Sequence, residues 1–441
     1  MAAEQSLYWI WLAQACGVAS KSFVRLIDRF SDPFEIYSLD EEQIEHIEGI
    51  GEKLKASLCD KQLEGAYSVI RGCKSGKIDI ITYGDKRYPS RLKKLEDAPA
   101  VLFCKGRFPD FDSRLCIGIV GTRKMSEYGK ESAYKIAYEM AAANVVVVSG
   151  MALGIDSVAA CGALAASGCT VAVLGCGVDV VYPKQHAALY ERIAKHGAVI
   201  SEFMPSSSPD KYNFPIRNRI ISGLCQGTLV VEGDRRSGAL ITARSALMQG
   251  RDVFALPGKI NESNSEGPNE LIRDGANAAL GAEDILSSYD FLYGDVINYK
   301  GLRKAQRKSA LDESMIDELG VCARSYKVEA ASVAARIEYG ENEKEKNNTT
   351  SQRAENERTE VTRQKATEEI QKEAAPYDDS VLDGLDAGVR KIFEEMPIDT
   401  AVSPDMLVGE GADVSDVITA LTFLELCGLV SSLPGGLYIR K

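Results

Sequence analysis

Histidine is scarce in this chain, tryptophan scarcer, and no two cysteines stand in a CxxC spacing. The three histidines, His46, His186 and His196, sit in unrelated settings without a metal-ligating partner at helical spacing. That pattern offers no zinc signature, and no metal or cofactor is expected. No activated nucleophile or carboxylate pair stands out either, so the chain reads as a non-enzyme. Glu232, after the run Thr228–Val231, is the best lone acid–base candidate and reads better as a support for the Ser237-Gly238 loop. The 11 cysteines are scattered singly through apolar segments, which argues for reduced core thiols in a cytoplasmic protein. Excess positive charge is missing too. Lys and Arg number 52 against 64 acids, for a net charge of −12, so nucleic-acid binding would need a local basic pocket. Met1–Ser20 lacks a basic run followed by an apolar core, the pattern of a signal peptide. The uncharged 22-residue run Ser157–Val178 is long enough for a bilayer, but it is Gly/Ala/Ser-rich and contains a strand-like Thr170–Leu174. It reads as a buried helix–strand pair, and no membrane partner is expected.

What is present falls into four regions. Residues 1–76 read as a helical domain around Ile47-Glu-Gly-Ile-Gly-Glu-Lys-Leu-Lys-Ala56, a sequence like a helix-hairpin-helix turn. Glu41, Glu42, Glu45, Glu48 and Glu52 surround that turn and would repel phosphates, so a structural module is the better reading. Residues 77–290 alternate β-branched runs with Ala-rich helical segments. Leu115–Val120, Val145–Val148, Thr170–Leu174, Ala198–Ser201, Thr228–Val231 and Asp252–Ala255 are the strand candidates. A helix is expected from Ser126, a good N-cap, to Ala143, stopping at Asn144. Such alternation predicts an α/β fold with a doubly wound, largely parallel sheet. Residues 291–378 open with a basic patch at Lys300, Arg303, Lys304, Arg307 and Lys308, then turn polar, and read as a charged, largely disordered linker. Residues 379–441 regain periodicity and end in two short strands around Gly435-Gly436, a pattern like a winged helix. With ten acids against four basic residues from Ser380 to Lys441, this module reads as an interaction or regulatory unit rather than a DNA reader.

In a doubly wound sheet, ligands sit beyond the carboxyl ends of the strands. Gly121-Thr-Arg123, Ser149–Asp156, Gly175-Cys-Gly177 and Glu232–Thr242 all fall there. Glycines at 121, 150 and 154 let the backbone approach a ligand, Thr122 and Ser149 carry hydroxyls, and Arg123 carries a bidentate fork. Asp156 reads as a helix cap. Asn213-Phe-Pro-Ile-Arg-Asn-Arg219 adds one aromatic face, two guanidinium groups and two amides in a stretch too polar for a core strand. Arg forks suit phosphates, and Phe214 offers a plate for an unpaired base. Together with Lys184, this set (Gly121, Thr122, Arg123, Ser149, Gly150, Gly154, Asn213, Phe214, Arg217, Asn218 and Arg219) reads as a site for single-stranded nucleic acid. Arg235, Arg236, Arg244 and Arg251 are further candidates. A dinucleotide enzyme is disfavoured, because no third glycine completes Gly175-Cys-Gly177 and no ribose-binding acid follows.

These motifs resemble the DNA-processing protein A family (DprA, also called Smf). The resemblance runs from Tyr88 to Leu286 through Ile119-Val-Gly-Thr-Arg-Lys124, Ser149–Asp156, Tyr182-Pro-Lys184, Asn213–Arg219, Ser237–Ala243 and Gly250–Gly258. It implies an extended Rossmann-like fold flanked by an N-terminal helical domain and a C-terminal winged helix. It also implies a homodimer that binds and protects single-stranded DNA and loads RecA recombinase in natural transformation. Two positions depart from the family pattern, Leu153 in place of a basic residue and Ala160 in place of His, and both thin the positive charge. The rival class is a Rossmann-fold nucleotide hydrolase similar to the phosphoribohydrolases, whose PGGxGT loop this chain lacks.

Overall fold

The computed structural model describes residues 2–321 and parts of 389–440. Six helices come first: α1 (Ala2–Cys16), α2 (Lys21–Phe30), α3 (Pro33–Tyr37), α4 (Glu41–Glu45), α5 (Glu52–Cys59) and α6 (Glu64–Gly76). Their starts are written in the sequence. Ser20 caps α2, Asp32 caps α3 with Pro33 behind it, and Asp40 forms a reciprocal capping box with Gln43 at α4. Gly49, at φ +81°, makes the turn between α4 and α5. The Arg25 guanidinium donates to the Gly49 carbonyl at 3.2 Å, which ties the turn to α2.

The sheet has nine strands: β1 (Asp79–Thr82), β2 (Val101–Gly106), β3 (Cys116–Val120), β4 (Val146–Ser149), β5 (Thr170–Val173), β6 (Ala198–Ser201), β7 (Gly227–Val230), β8 (Asp252–Ala255) and β9 (Asn277–Ala278). In space they run β1-β2-β6-β5-β4-β3-β7-β8-β9. β2 is antiparallel to both β1 and β6, and every other pairing is parallel. The connecting helices are α7 (Ser90–Lys93), α8 (Glu127–Ala142), α9 (Ile155–Ala165), α10 (Ala187–His196), α11 (Asn213–Leu224), α12 (Gly238–Met248), α13 (Ser263–Arg273) and α14 (Ala282–Ser287). The doubly wound α/β expectation holds, and all six expected strands form within one or two residues of their expected ends. The helix capped by Ser126 also forms, with Asn144 left-handed at φ 69° just beyond it.

The central strands are apolar on both faces because helices cover both. Ile117, Ile119, Val147 and Leu229 pack with α8, α9 and the N-terminal helices. Val146, Val148, Val171 and Val173 pack on the other side with Ile220, Leu224 and Ala243 of α11 and α12. Ser157–Val178 is indeed a buried helix–strand pair, and among the described residues no helix is long and apolar enough to cross a membrane.

Two expectations need correction. β1, β2 and β9 were not among the strand candidates: β1 and β2 form an antiparallel edge outside the strand–helix alternation, and β9 is only two residues long. The charged linker does not begin at 291. Helices α15 (Asp290–Tyr293), α16 (Tyr299–Gln306) and α17 (Glu313–Glu318) continue the fold, with Leu302, Ala305, Met315, Ile316 and Leu319 buried. The Lys130 ammonium anchors α17 through Glu313 at 2.5 Å. Helical spacing of a few apolar residues outweighs the basic patch around them. The rest of the linker expectation, 322–378, lies outside the described residues.

Of the second compact unit, the described residues include a small core with Phe393, Val417, Leu421, Leu424 and Leu429. A hairpin of β10 (Val430–Leu433) and β11 (Leu437–Arg440) closes it, and Val402 bridges to Tyr438. The expected two strands around Gly435-Gly436 are present. The helical half of the winged-helix expectation falls largely outside the described residues.

Candidate nucleic-acid interface

After β3 the chain moves to β4 on one side, and after β7 it moves to β8 on the other. The carboxyl ends of β3 and β7 therefore flank the topological switch point, where such sheets bind ligands. A cavity of about 540 Å³ opens there. Its walls are the loop after β3 (Gly121, Thr122, Arg123), the start of α11 and the start of α12.

The heptapeptide Asn213–Arg219 is the opening of α11, not a loop. Phe214, Arg217, Asn218 and Ile221 all line the cavity, the i, i+3, i+4, i+7 stripe of one helix face. Phe214 is half-buried at the mouth. The Arg123 guanidinium lies 5.6 Å from its ring centroid, and the Tyr182 ring lies 5.4 Å away at 34°. Asn218 donates to the Gly238 carbonyl at 3.4 Å, joining α11 to α12. Lys211 and Arg236 add cations to the rim, and Asp234 adds an acid. Lys211 was not among the sequence candidates. It sits in the turn just before α11, and its only signal in the sequence is its closeness to Phe214.

Arg217 forms part of the floor and is buried. It donates to the Val173 carbonyl at 2.6 Å and stands beside Asp156. Burial lowers its pKa and raises that of Asp156, and each group's charge opposes the shift of the other. Asp156 also accepts the Gly150 N–H at 3.1 Å, a support role rather than a plain helix cap. A side chain at Gly150 would collide with the Arg217 guanidinium. Gly154 has φ +83°, and a Cβ there would meet the Thr122 carbonyl. Gly154 thus lets the loop after β4 close on the loop after β3, and Gly150 lets it close on Arg217 of α11; neither lines the cavity.

Like Gly150 and Gly154, four more sequence candidates lie outside the cavity lining. Arg219 is two residues from Arg217, hence about 200° around the helix, and faces away from the cavity. It is buried in an ion pair with Glu202 at 2.5 Å and lies 3.4 Å from Asp97. The Ser149 hydroxyl is buried and donates to the Ile119 carbonyl at 2.7 Å. Lys184 is exposed on a short 3₁₀ turn, Lys184–His186, and does not line the cavity. Asn213 opens α11 half-buried, also outside the lining.

Glu232 holds a different loop from the one expected. It accepts from the backbone N–H and hydroxyl of Ser126 and so pins the start of α8. That start is therefore occupied, and the helix amino termini at the cavity belong to α9, α11 and α12. Among the described residues no cluster of three metal-ligating side chains forms.

A family model described as DNA recombination-mediator protein A matches residues 79–290. DNA processing protein DprA of Bacillus subtilis is 40% identical over 238 residues, 53% of this chain and 80% of that protein. The Streptococcus pneumoniae protein of the same name is 42% identical over 212 residues, 47% of this chain and 73% of its own. The X-ray structure of the latter superposes with a TM-score of 0.55 at 35% identity, over 64% of this chain and 96% of that one. Likeness in sequence over most of a relative's length, joined to a shared fold, leaves one conclusion: this chain belongs to the DNA recombination-mediator protein A family, also called DprA or Smf.

Proposed function

We propose that the chain binds single-stranded DNA in the cavity at the β3–β7 switch point and passes it to the RecA recombinase. One observation carries this reading: a half-buried Phe214 with a guanidinium over one side, at the mouth of a cleft rimmed by Arg123, Lys211 and Arg236. An aromatic plate stacks any base, and nearby cations neutralise the adjoining phosphates. Family membership supports DNA processing in recombination as the setting. In this proposal the protein acts as a homodimer without catalysis, protecting incoming strands during natural transformation. The rival hydrolase reading loses ground because Glu232, its one acid–base candidate, is committed to Ser126.

The test is affinity for a hairpin-free strand and for its blunt duplex at several salt concentrations. The strand is expected to bind more tightly, with little dependence on sequence. Arg123→Ala is expected to flatten the log–log salt slope by about 0.7, one single-strand phosphate contact. Equal affinity for strand and duplex would reject the proposal. Release of free base from nucleoside monophosphates would favour the hydrolase instead.

A further inference from the structure

A second cleft, of about 1130 Å³, opens between β1 and the N-terminal helices. β1 is an edge strand, paired only with β2. Its register fixes which backbone groups face outward. The Tyr83 N–H donates to the Ala100 carbonyl, so Asp79, Ile81 and Tyr83 are the residues bonded towards β2. Ile78, Ile80 and Thr82 point their backbone groups the other way. The Ile78 N–H is taken by the Cys73 carbonyl, and the Thr82 carbonyl by the Asp85 N–H. Between them, the Ile78 carbonyl, both backbone groups of Ile80 and the Thr82 N–H are turned away from β2, with Ile80 half-buried and Ile78 and Thr82 buried beneath the cleft. Ile78, Ile80 and Thr82 all line the cleft.

The facing wall is aromatic: Tyr8 and Trp9 from α1, and Phe34 from α3. Arg87 neutralises Asp79 and Asp85, at 2.5 and 2.8 Å. Lys74, near the end of α6, and Lys86, in the turn after β1, frame the two ends of the stretch. Both are exposed, and neither makes an ion pair among the described residues. Proteins ordinarily cover or blunt a free edge. An open edge beside an apolar wall is the arrangement that accepts an added strand.

We propose that β1 docks an extended segment of a partner protein, apolar at its centre and acidic at both ends. The backbone supplies pairing, the aromatic wall receives alternate side chains, and Lys74 and Lys86 meet the acids. A nucleic acid suits the cleft poorly, because its backbone has no alternating N–H and C=O groups to pair with a strand edge.

The probe is the end-blocked peptide EEVTVTFEE, added to the full chain. Hydrogen exchange is expected to show the Ile80 and Thr82 amides open in the free chain and protected by the peptide. Ile80→Pro removes an outward N–H and leaves the β2 bonds in place, so affinity should fall about tenfold with the fold retained. Lys74→Glu with Lys86→Glu should weaken binding similarly and reverse its salt dependence, a readout independent of any strain from proline. The proposal is overturned if EEVTPTFEE binds as well, if the two amides are already protected in the free chain, or if the double lysine variant binds unchanged.

Discussion

Phe214 and Arg219 sit five residues apart on α11 and separate binding from folding. Phe214 packs beside Arg123 and Tyr182 yet is only half-buried and lines the cavity, so part of its ring faces the space a ligand would fill. Phe214→Ala is expected to cost about 1–3 kcal/mol of single-strand binding, the range for one base on an aromatic plate. Were the ring a core residue, the same change would instead cost about 3–5 kcal/mol of stability. Melting and affinity measured on one sample decide between them. Arg219 should behave in the opposite way. Its partner Glu202 also accepts the Ala19 N–H at 3.1 Å, so the pair ties the N-terminal helices to the sheet. Arg219→Ala strands a buried carboxylate and is expected to cost about 3–5 kcal/mol of stability. Affinity per folded molecule should hold, as checked by denaturant melts beside a binding titration. The sequence displayed both residues but not their directions. Read as a polar patch, Asn213–Arg219 presents two arginines to one ligand; read on a helix, Arg217 and Arg219 cannot share a face.

Elements were legible in proportion to the strength of their local signals. β3 through β6 are Val/Ile-rich runs, β7 and β8 continue the same alternation with helices, and α8 carries both its cap and its left-handed stop. β1, β2 and β9 were missed because their strand identity comes from pairing with neighbours rather than from pattern. The segment 291–321 was misread for a related reason. Its basic surface dominates composition, while Leu302, Ala305 and Ile316 supply the few contacts that hold it. Leu302→Ala is therefore expected to destabilise the domain by about 2–5 kcal/mol, the cost of a buried leucine cavity. A mobile linker would tolerate the change without effect. Denaturant unfolding of the variant distinguishes the two, with Lys300→Ala as an exposed control.

Over the whole molecule the charge is −12, yet the switch-point cavity gathers Arg123, Lys211, Arg217 and Arg236 against Asp156 and Asp234. Single-strand affinity must come from that local excess and fall steeply with salt, since the surrounding field opposes it. The segment Ser380–Lys441 contributes to the opposing field, with ten acids and four basic residues. Deleting it removes six net negative charges and none of the residues that line the cavity. Single-strand binding should therefore survive the deletion and, at low salt, rise. The gain should vanish as the Debye length shrinks from about 30 Å at 0.01 M salt to about 8 Å at 0.15 M. A titration of the truncated and full chains at both salt concentrations gives the answer. A large loss of affinity in a folded truncation would show that the C-terminal unit itself contacts DNA, and its acidic composition would then need a different explanation.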